Sequence, residues 1–371
     1  MKISFRFDAL VCALFFSFIL LSSAFPQGSL TPPGPPAPTM KSLDQIASTG
    51  IALNSTNTPG DSNDEFVISA PGGYFLTANL DVGKSNGIDV TVPGVTIDLN
   101  GFRIDRASGS GGDGIDIESA AIGCIVKNGS IDGFDNGIDC AARGGVLRDL
   151  TVSNCQIHGL NAGAGFVIEH CSAQGGGGAG IQTGNGCTLK NCTAVSNGTG
   201  TSGDGFNTGS GCALSGCSAS LNKGNGFVAV DSTLTNCAAY TNTGAGIFAS
   251  ADSSVINCTS NGNTGDGILC HNHCLVTGNT CNNNLTNGIE SDAHNNRIDG
   301  NHCLKNTNYG IKTVDDPNGG TIVRNTCFLN TGTVNVNATA NYSPKNSTAM
   351  NPYFGPITVI SSGTPSAWAN F

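Results

Sequence analysis

Residues 180–194 read Gly180-Ile181-Gln182-Thr183-Gly184-Asn185-Gly186-Cys187-Thr188-Leu189-Lys190-Asn191-Cys192-Thr193-Ala194. Ile181-Gln182-Thr183, Thr188-Leu189-Lys190 and Cys192-Thr193-Ala194 are short runs that alternate sides, separated by Gly and Asn. Such runs predict brief strands joined by tight turns. At Gly205-Phe206 the same order starts again. The Gly-plus-apolar pair recurs about every 21 residues, at Gly87-Ile88, Gly114-Ile115, Gly137-Ile138, Gly159-Leu160, Gly180-Ile181, Gly205-Phe206, Gly226-Phe227, Gly246-Ile247, Gly267-Ile268, Gly288-Ile289 and Gly310-Ile311. A fixed short period is the mark of a solenoid, in which each repeat packs only on its neighbours.

Three strands per period fit an all-β, single-stranded parallel β-helix with three sheets and about eleven rungs. Parallel crossovers are almost always right-handed, which sets the expected hand. A helical repeat needs long Gly-free runs with apolar spacing of three and four, and a leucine-rich repeat needs its Leu frame; neither is present. Strands about 4.8 Å apart would make eleven rungs span roughly 50 Å.

Aligning the period sorts residues into columns. Ile, Leu or Phe after each Gly points inward, the next residue outward, and the one after inward again. That second inner column runs Val90, Ile117, Cys140, Ala162, Thr183, Thr208, Ala229, Ala249, Cys270, Ser291, Thr313, small or apolar throughout. Asn222, Asn242, Asn263, Asn284 and Asn306 precede the repeat Gly by four residues and predict an amide ladder. Nine cysteines, Cys155, Cys171, Cys192, Cys217, Cys237, Cys258, Cys281, Cys303 and Cys327, align in one slot. Stacked Cβ atoms near the strand spacing of about 4.8 Å exceed what a disulfide wants, so a buried column of mostly free thiols is expected.

The ends differ. Residues 1–24 have a basic start (Lys2, Arg6), an apolar run from Ala9 to Leu21 and small residues at Ser22-Ser23-Ala24, the pattern of a secretory signal. The run is too short for a membrane span of about 20 residues. The expected organisation is a signal peptide at 1–24, a Pro-rich linker at 25–40, an N-terminal cap at 41–86, the β-helix at 87–330, and a tail at 331–371 that packs on or caps the solenoid. Export to the periplasm, cell surface or medium follows. The chain carries 16 basic and 26 acidic side chains, a formal net charge of −10. That balance argues against nucleic acid and anionic membranes and permits a cation or an uncharged or cationic ligand.

The outward column opens with Asp89, Asp116 and Asp139 and continues Asn161, Gln182, Asn207. Carboxylates on successive rungs would lie about 5 Å apart, near the spacing of a retaining glycosidase pair. Like charges in proximity raise one carboxyl's pKa, as a general acid requires, and the same oxygens suit calcium. The competing expectation is a solvated column neutralised by Arg103, Arg106, Arg143 or Arg148. Gly111-Gly112-Asp113-Gly114-Ile115-Asp116 mimics a calcium-binding nonapeptide, although Glu118 stands where that motif wants an apolar residue. A second charged group gathers Glu290 and Lys312 in the outward slot, with Asp292, His294, Asp315, Asp316 and Arg324 nearby; a surface salt bridge is the plainer reading. Cys270-His271-Asn272-His273-Cys274 has zinc-ligand composition, but Cys270 and Cys274 fall in inner slots and the His faces the other way. Phe134, Tyr240, Phe248 and Tyr309 are the aromatics expected at the surface.

The Gly-Ile and Asn-Cys-Thr rungs resemble the repeats of right-handed parallel β-helix proteins of the pectin-lyase-like superfamily. Pro35-Pro36-Ala37-Pro38-Thr39-Met40-Lys41-Ser42-Leu43-Asp44-Gln45-Ile46, Ile68-Ser69-Ala70-Pro71-Gly72-Gly73-Tyr74-Phe75-Leu76, Val95-Thr96-Ile97-Asp98-Leu99-Asn100-Gly101-Phe102 and Trp368-Ala369-Asn370-Phe371 look like stretches of exported bacterial β-helix proteins of unassigned function. The resemblance implies polysaccharide as the partner. The polygalacturonase-like signature is incomplete: Asp315-Asp316 is present, Ile157-His158-Gly159 lacks its first Gly, and no pectate-lyase Arg motif is visible. The expected function is therefore polysaccharide binding. A polysaccharide lyase or glycoside hydrolase stands second and a non-catalytic surface module third.

Overall fold

The computed structural model describes residues 50–107, 111–199, 203–313 and 320–331, together with the backbone of two later strands, Tyr342–Pro344 and Tyr353–Phe354. The expected signal peptide, the Pro-rich linker, the first part of the expected cap, Asp315, Asp316, Trp368 and most of the tail lie outside the described residues. Among the described residues every regular element is a strand and every strand pairing is parallel.

Each coil contributes to three stacks. Stack 1 is a sheet of 13 strands. It includes Asn86–Val90, Asp113–Ile117, Asn136–Cys140, His158–Ala162 and Ile181–Thr183, and later Ile289–Ser291 and Ile311–Thr313. Stacks 2 and 3 together form a sheet of 24 strands. They are joined because Ile125–Asp132 and Val146–Ser153 run through both stacks as single strands. In later coils the two stacks are separate, as in Thr188–Lys190 and Thr193–Val195.

The parallel pairing extends beyond the segment expected for the solenoid. Asp64–Ile68 already pairs with Asn86–Val90, and Gly72–Phe75 with Val95–Asp98, so the described part of the expected cap is itself coiled. At the other end Tyr342–Pro344 pairs with Ile311–Thr313.

The interior follows the period. Ile88, Ile115, Ile138, Leu160, Ile181, Phe206, Phe227 and their later equivalents are buried. Phe206 and Phe227 stack with centroids 4.8 Å apart and planes 8° from parallel, one ring per coil. The second inner column, from Val90 to Thr313, is likewise buried. The repeat Gly lies where coils approach most closely: a Cβ on Gly226 would stand 2.5 Å from the carbonyl oxygen of Gly246.

The Asn ladder is present and longer than expected, running Asn197, Asn222, Asn242, Asn263, Asn284, Asn306, Asn330. Each Nδ2 donates to the next Oδ1 at 2.9–3.0 Å. The oxygen also accepts the preceding coil's backbone N–H, as from Asn222 to Asn242 at 3.1 Å. These amides are buried, and the ladder supplies the partners that burial demands. A second ladder joins Asn279, Asn301 and Asn325.

The cysteine column needs correction. All 15 described cysteines are free and buried, but the nine aligned ones do not share a slot. Cys171, Cys192, Cys217, Cys237 and Cys258 form one column, continued by Asn279. Cys281, Cys303 and Cys327 stack in the column of Ala239 and Ser260, two residues later. Cys155 lies in neither. A shift of two along a strand keeps a side chain on the same face, so the sequence alignment tolerated the error. Phe134 is also corrected: it is fully buried, with the Arg106 guanidinium 5.5 Å from its ring centroid. Tyr240 is exposed as expected, and Phe248 and Tyr309 are half-buried.

Candidate functional site

Stack 1 presents two outward columns, because Gly and the following Ile both turn inward and leave a polar residue on either side. The column after Gly-Ile brings Asp89, Asp116 and Asp139 into direct register on successive coils and continues with Asn161, Gln182 and Asn207. Successive carboxylates are thus one strand spacing, about 4.8 Å, apart. The column before Gly runs Asp64, Asn86, Asp113, Asn136, His158. Here Asp and Asn alternate and bond one another: Asn86 Nδ2 donates to Asp64 Oδ1 at 2.7 Å, and Asn136 Nδ2 to Asp113 Oδ1 at 2.9 Å.

The two columns differ in electrostatics. Amides compensate Asp64 and Asp113. Asp139 accepts a 2.6 Å hydrogen bond from Asn161 Nδ2, whereas Asp89 Oδ1 is buried with no hydrogen-bond partner. Burial pushes the Asp116 carboxyl up to about 7, with the charges of Asp113, Asp89, Asp139 and Glu118 adding to the shift. Burial also raises Asp89 to about 6, helped by Asp64 and Glu118. Protonation relieves the repulsion among neighbouring carboxylates.

The expected neutralisation by arginine is not found. Among the described residues Asp89, Asp116 and Asp139 form no ion pair. Arg103 pairs with Asp105 at 2.8 Å, Arg106 donates to the carbonyl of Ser85, and Arg148 lies in register with Lys127 and Glu169 on stack 2. Arg103 and Arg148 lie on strands of the 24-stranded sheet and not on stack 1, and the Arg106 guanidinium sits over the Phe134 ring. Lys84 spends its ammonium on the backbone carbonyls of Asp61 and Asp64.

Two sets of three carboxylates have oxygens within 4.8 Å of one another: Asp89, Asp116 and Glu118, and Asp113, Asp116 and Asp139. Glu118, which spoils the nonapeptide pattern, thus joins an oxygen-rich cluster. Calcium takes about six to eight oxygens, so either set would need further donors from water or a ligand. Asp64 and the alternating Asp/Asn column were missed at the sequence level; their signal is the polar residue directly before each Gly.

The C-terminal group resolves into separate pairs. Lys312 Nζ lies 2.6 Å from Glu290 Oε1, and Asn287 Nδ2 donates to Glu290 Oε2 at 2.7 Å. Burial raises the Glu290 pKa, a shift that Lys312 opposes. His271 pairs with Asp292 at 3.1 Å and His273 with Asp252 at 3.3 Å, so the two histidines turn to different carboxylates. Arg324 does not join Glu290; it grips Asp299, together with Arg297, on stack 2. A cavity of about 320 Å³ opens among Leu53, Glu65, Phe66, Leu76, Asn79 and Leu80, and shares no residue with the acidic columns.

Among the described residues no helix is long and apolar enough to cross a membrane. Comparison with curated proteins gives no match. Residues 229–370 match the family described as "Right handed beta helix region". Among solved structures, the catalytic domain of a GH87 alpha-1,3-glucanase variant in complex with tetrasaccharides is similar at 12% identity, with a TM-score of 0.56 over 84% of this chain and 69% of that one. The Dettilon tailspike protein (gp208) is similar at 12% identity and a TM-score of 0.50, over 72% of this chain. The chain spans 58% of the length of that tailspike. At this identity the likeness concerns the fold. Together with the parallel three-stack coil it establishes the fold of the chain as a right-handed parallel β-helix.

Proposed function

We propose that the protein binds a polysaccharide along the outward face of stack 1, over the carboxylates of its N-terminal coils. The observation that carries this reading is the in-register column Asp89, Asp116, Asp139, which has no ion-pair partner among the described residues and passes into the amides Asn161, Gln182 and Asn207. A row of acceptors and amides at one spacing suits the repeated hydroxyls of a sugar chain. The similar folds include a glucanase domain solved with tetrasaccharides and a tailspike, which supports a carbohydrate role. The carboxylates disfavour polyuronates and admit uncharged or amino-bearing chains.

Isothermal titration against a panel of uncharged, cationic and anionic polysaccharides tests this. Saturable binding of an uncharged or cationic chain, weakened at least tenfold by Asp116→Ala or Asp139→Ala, is the expected result. Silence across the panel overturns it in favour of a structural surface module.

A glycoside hydrolase is the second reading, favoured by Asp116, whose carboxyl is held near neutrality beside other carboxylates. Such an acid can protonate a glycosidic oxygen while a neighbouring carboxylate attacks the sugar or activates water. New reducing ends from wild type, lost in Asp116→Ala, would replace simple binding with catalysis. The same proposal places the protein outside the cytoplasm, with residues 1–24 removed. Mass spectrometry of the exported protein should then find Phe25 at its N-terminus.

A further inference from the structure

Five consecutive coils place a cysteine at the corner between stacks 2 and 3: Cys171, Cys192, Cys217, Cys237 and Cys258. The residues that follow them pair in unbroken register, Ser172 with Thr193, then Ser218, Ala238 and Thr259. Their side chains share one orientation, since each thiol donates to the carbonyl two residues earlier, at 3.3, 3.3, 3.6, 3.5 and 3.4 Å. The sulfurs therefore repeat at the coil spacing of about 4.8 Å. All five are free and 0–2% exposed.

That spacing is too long for a sulfur–sulfur bond of about 2 Å. It does suit a two-coordinate metal. A zinc–thiolate bond is about 2.3 Å, and two collinear metal–sulfur bonds of that order reach about 4.6 Å. Zinc wants four ligands in a tetrahedron, which a single column cannot offer. Among the described residues, the groups of three or more clustered metal-ligating side chains contain no cysteine. Soft monovalent ions accept thiolate sulfur, and copper(I) is the biological example.

We propose that this column binds soft monovalent cations, silver(I) or copper(I), each held two-coordinate between cysteines of successive coils. Each entering ion bonds two sulfurs and displaces one thiol proton to solvent. Charge is conserved, and burial does not oppose the exchange. A thiolate sulfur is bent and cannot hold two collinear ions, so adjacent gaps do not fill together: two ions enter and two protons leave. Entry is short. The residue before each cysteine, His170, Asn191, Gly216, Asn236 or Asn257, is exposed and has φ between 51° and 63°, so one left-handed corner residue covers each sulfur.

The test loads the folded, reduced full chain with silver(I) in chloride-free buffer and counts retained ions by native mass spectrometry. A variant with all five cysteines changed to serine is the comparison. Serine suits a coil corner, because Ser232 and Ser253 fill the slot of Cys212 and Cys274 at the corner between stacks 1 and 2. Wild type should retain two more ions than this variant, whatever the remaining cysteines bind. The double variant Cys192→Ser with Cys237→Ser leaves no adjacent pair in the column and should lose both ions, which decides the matter if the fivefold variant fails to fold. Equal loading of wild type and this double variant, or no uptake by folded wild type, overturns the proposal.

Discussion

Asp116 has a carboxylate one coil away on each side and a third beside it in Asp113, so its ionisation is opposed both by burial and by charge. The sign of the pH dependence follows. The folded-state pKa of about 7 lies above the ordinary aspartate value of 3.8, so the native state holds this proton more tightly than the unfolded chain does. Its stabilising contribution is complete below about pH 4 and is lost as pH rises towards 7. Asp116→Asn should therefore raise the melting temperature at pH 8 relative to wild type, and the difference should shrink as the pH is lowered to 4. Calorimetric melts across that range check it, and a pH-independent difference would contradict it. That Asp89, Asp116 and Asp139 share a face was legible in the sequence from the period alone. The failure of arginine to neutralise them was not, because Arg103 and Arg148 lie on strands whose position around the coil depends on where the corners fall.

At the scale of the element, the corner is the unit that repeats. A left-handed residue turns the chain between stacks 2 and 3, and the next side chain is tucked beneath it. That slot holds Cys from 171 to 258 and Asn at 279, 301 and 325, because either can accept the N–H of the coil before. Cys237 N–H reaches Cys258 Sγ at 3.4 Å, and Cys258 N–H reaches Asn279 Oδ1 at 2.8 Å. This exchange of Cys for Asn misled the sequence alignment, which followed residue type rather than slot. The longer Asn ladder tests the importance of such bonds. Asn242→Ala leaves the buried Asn222 backbone N–H without its acceptor and removes one donor to the Asn263 amide oxygen, and should cost about 2–3 kcal/mol. A lower urea midpoint with unchanged β-sheet circular dichroism is the expected outcome. A midpoint equal to wild type would show that water replaces the ladder.

Over the whole described molecule, stability should grade along the solenoid. Each coil is held by two neighbours, and the terminal ones by fewer. Amides of Ala194, Ala219 and Ala239 should outlast those of Tyr74 and Ile322 in native-state hydrogen exchange, whereas uniform protection would indicate a single cooperative unit. The pairing that begins at Ile51 was hidden in the sequence, since the first coils lack the Gly-Ile beat that made the later ones conspicuous.

The sequence by itself determined the period, the inward and outward columns, the parallel β-helix and the amide ladder, because all are consequences of local alternation repeated at a constant interval. Only the tertiary structure decided which columns share a wall, where cysteines separate into columns two residues apart, that Phe134 is interior, and that the acidic column has no ion-pair partner among the described residues. Those outcomes depend on where each coil turns its corners, and a turn displaced by two residues leaves the inside–outside pattern of the sequence unchanged.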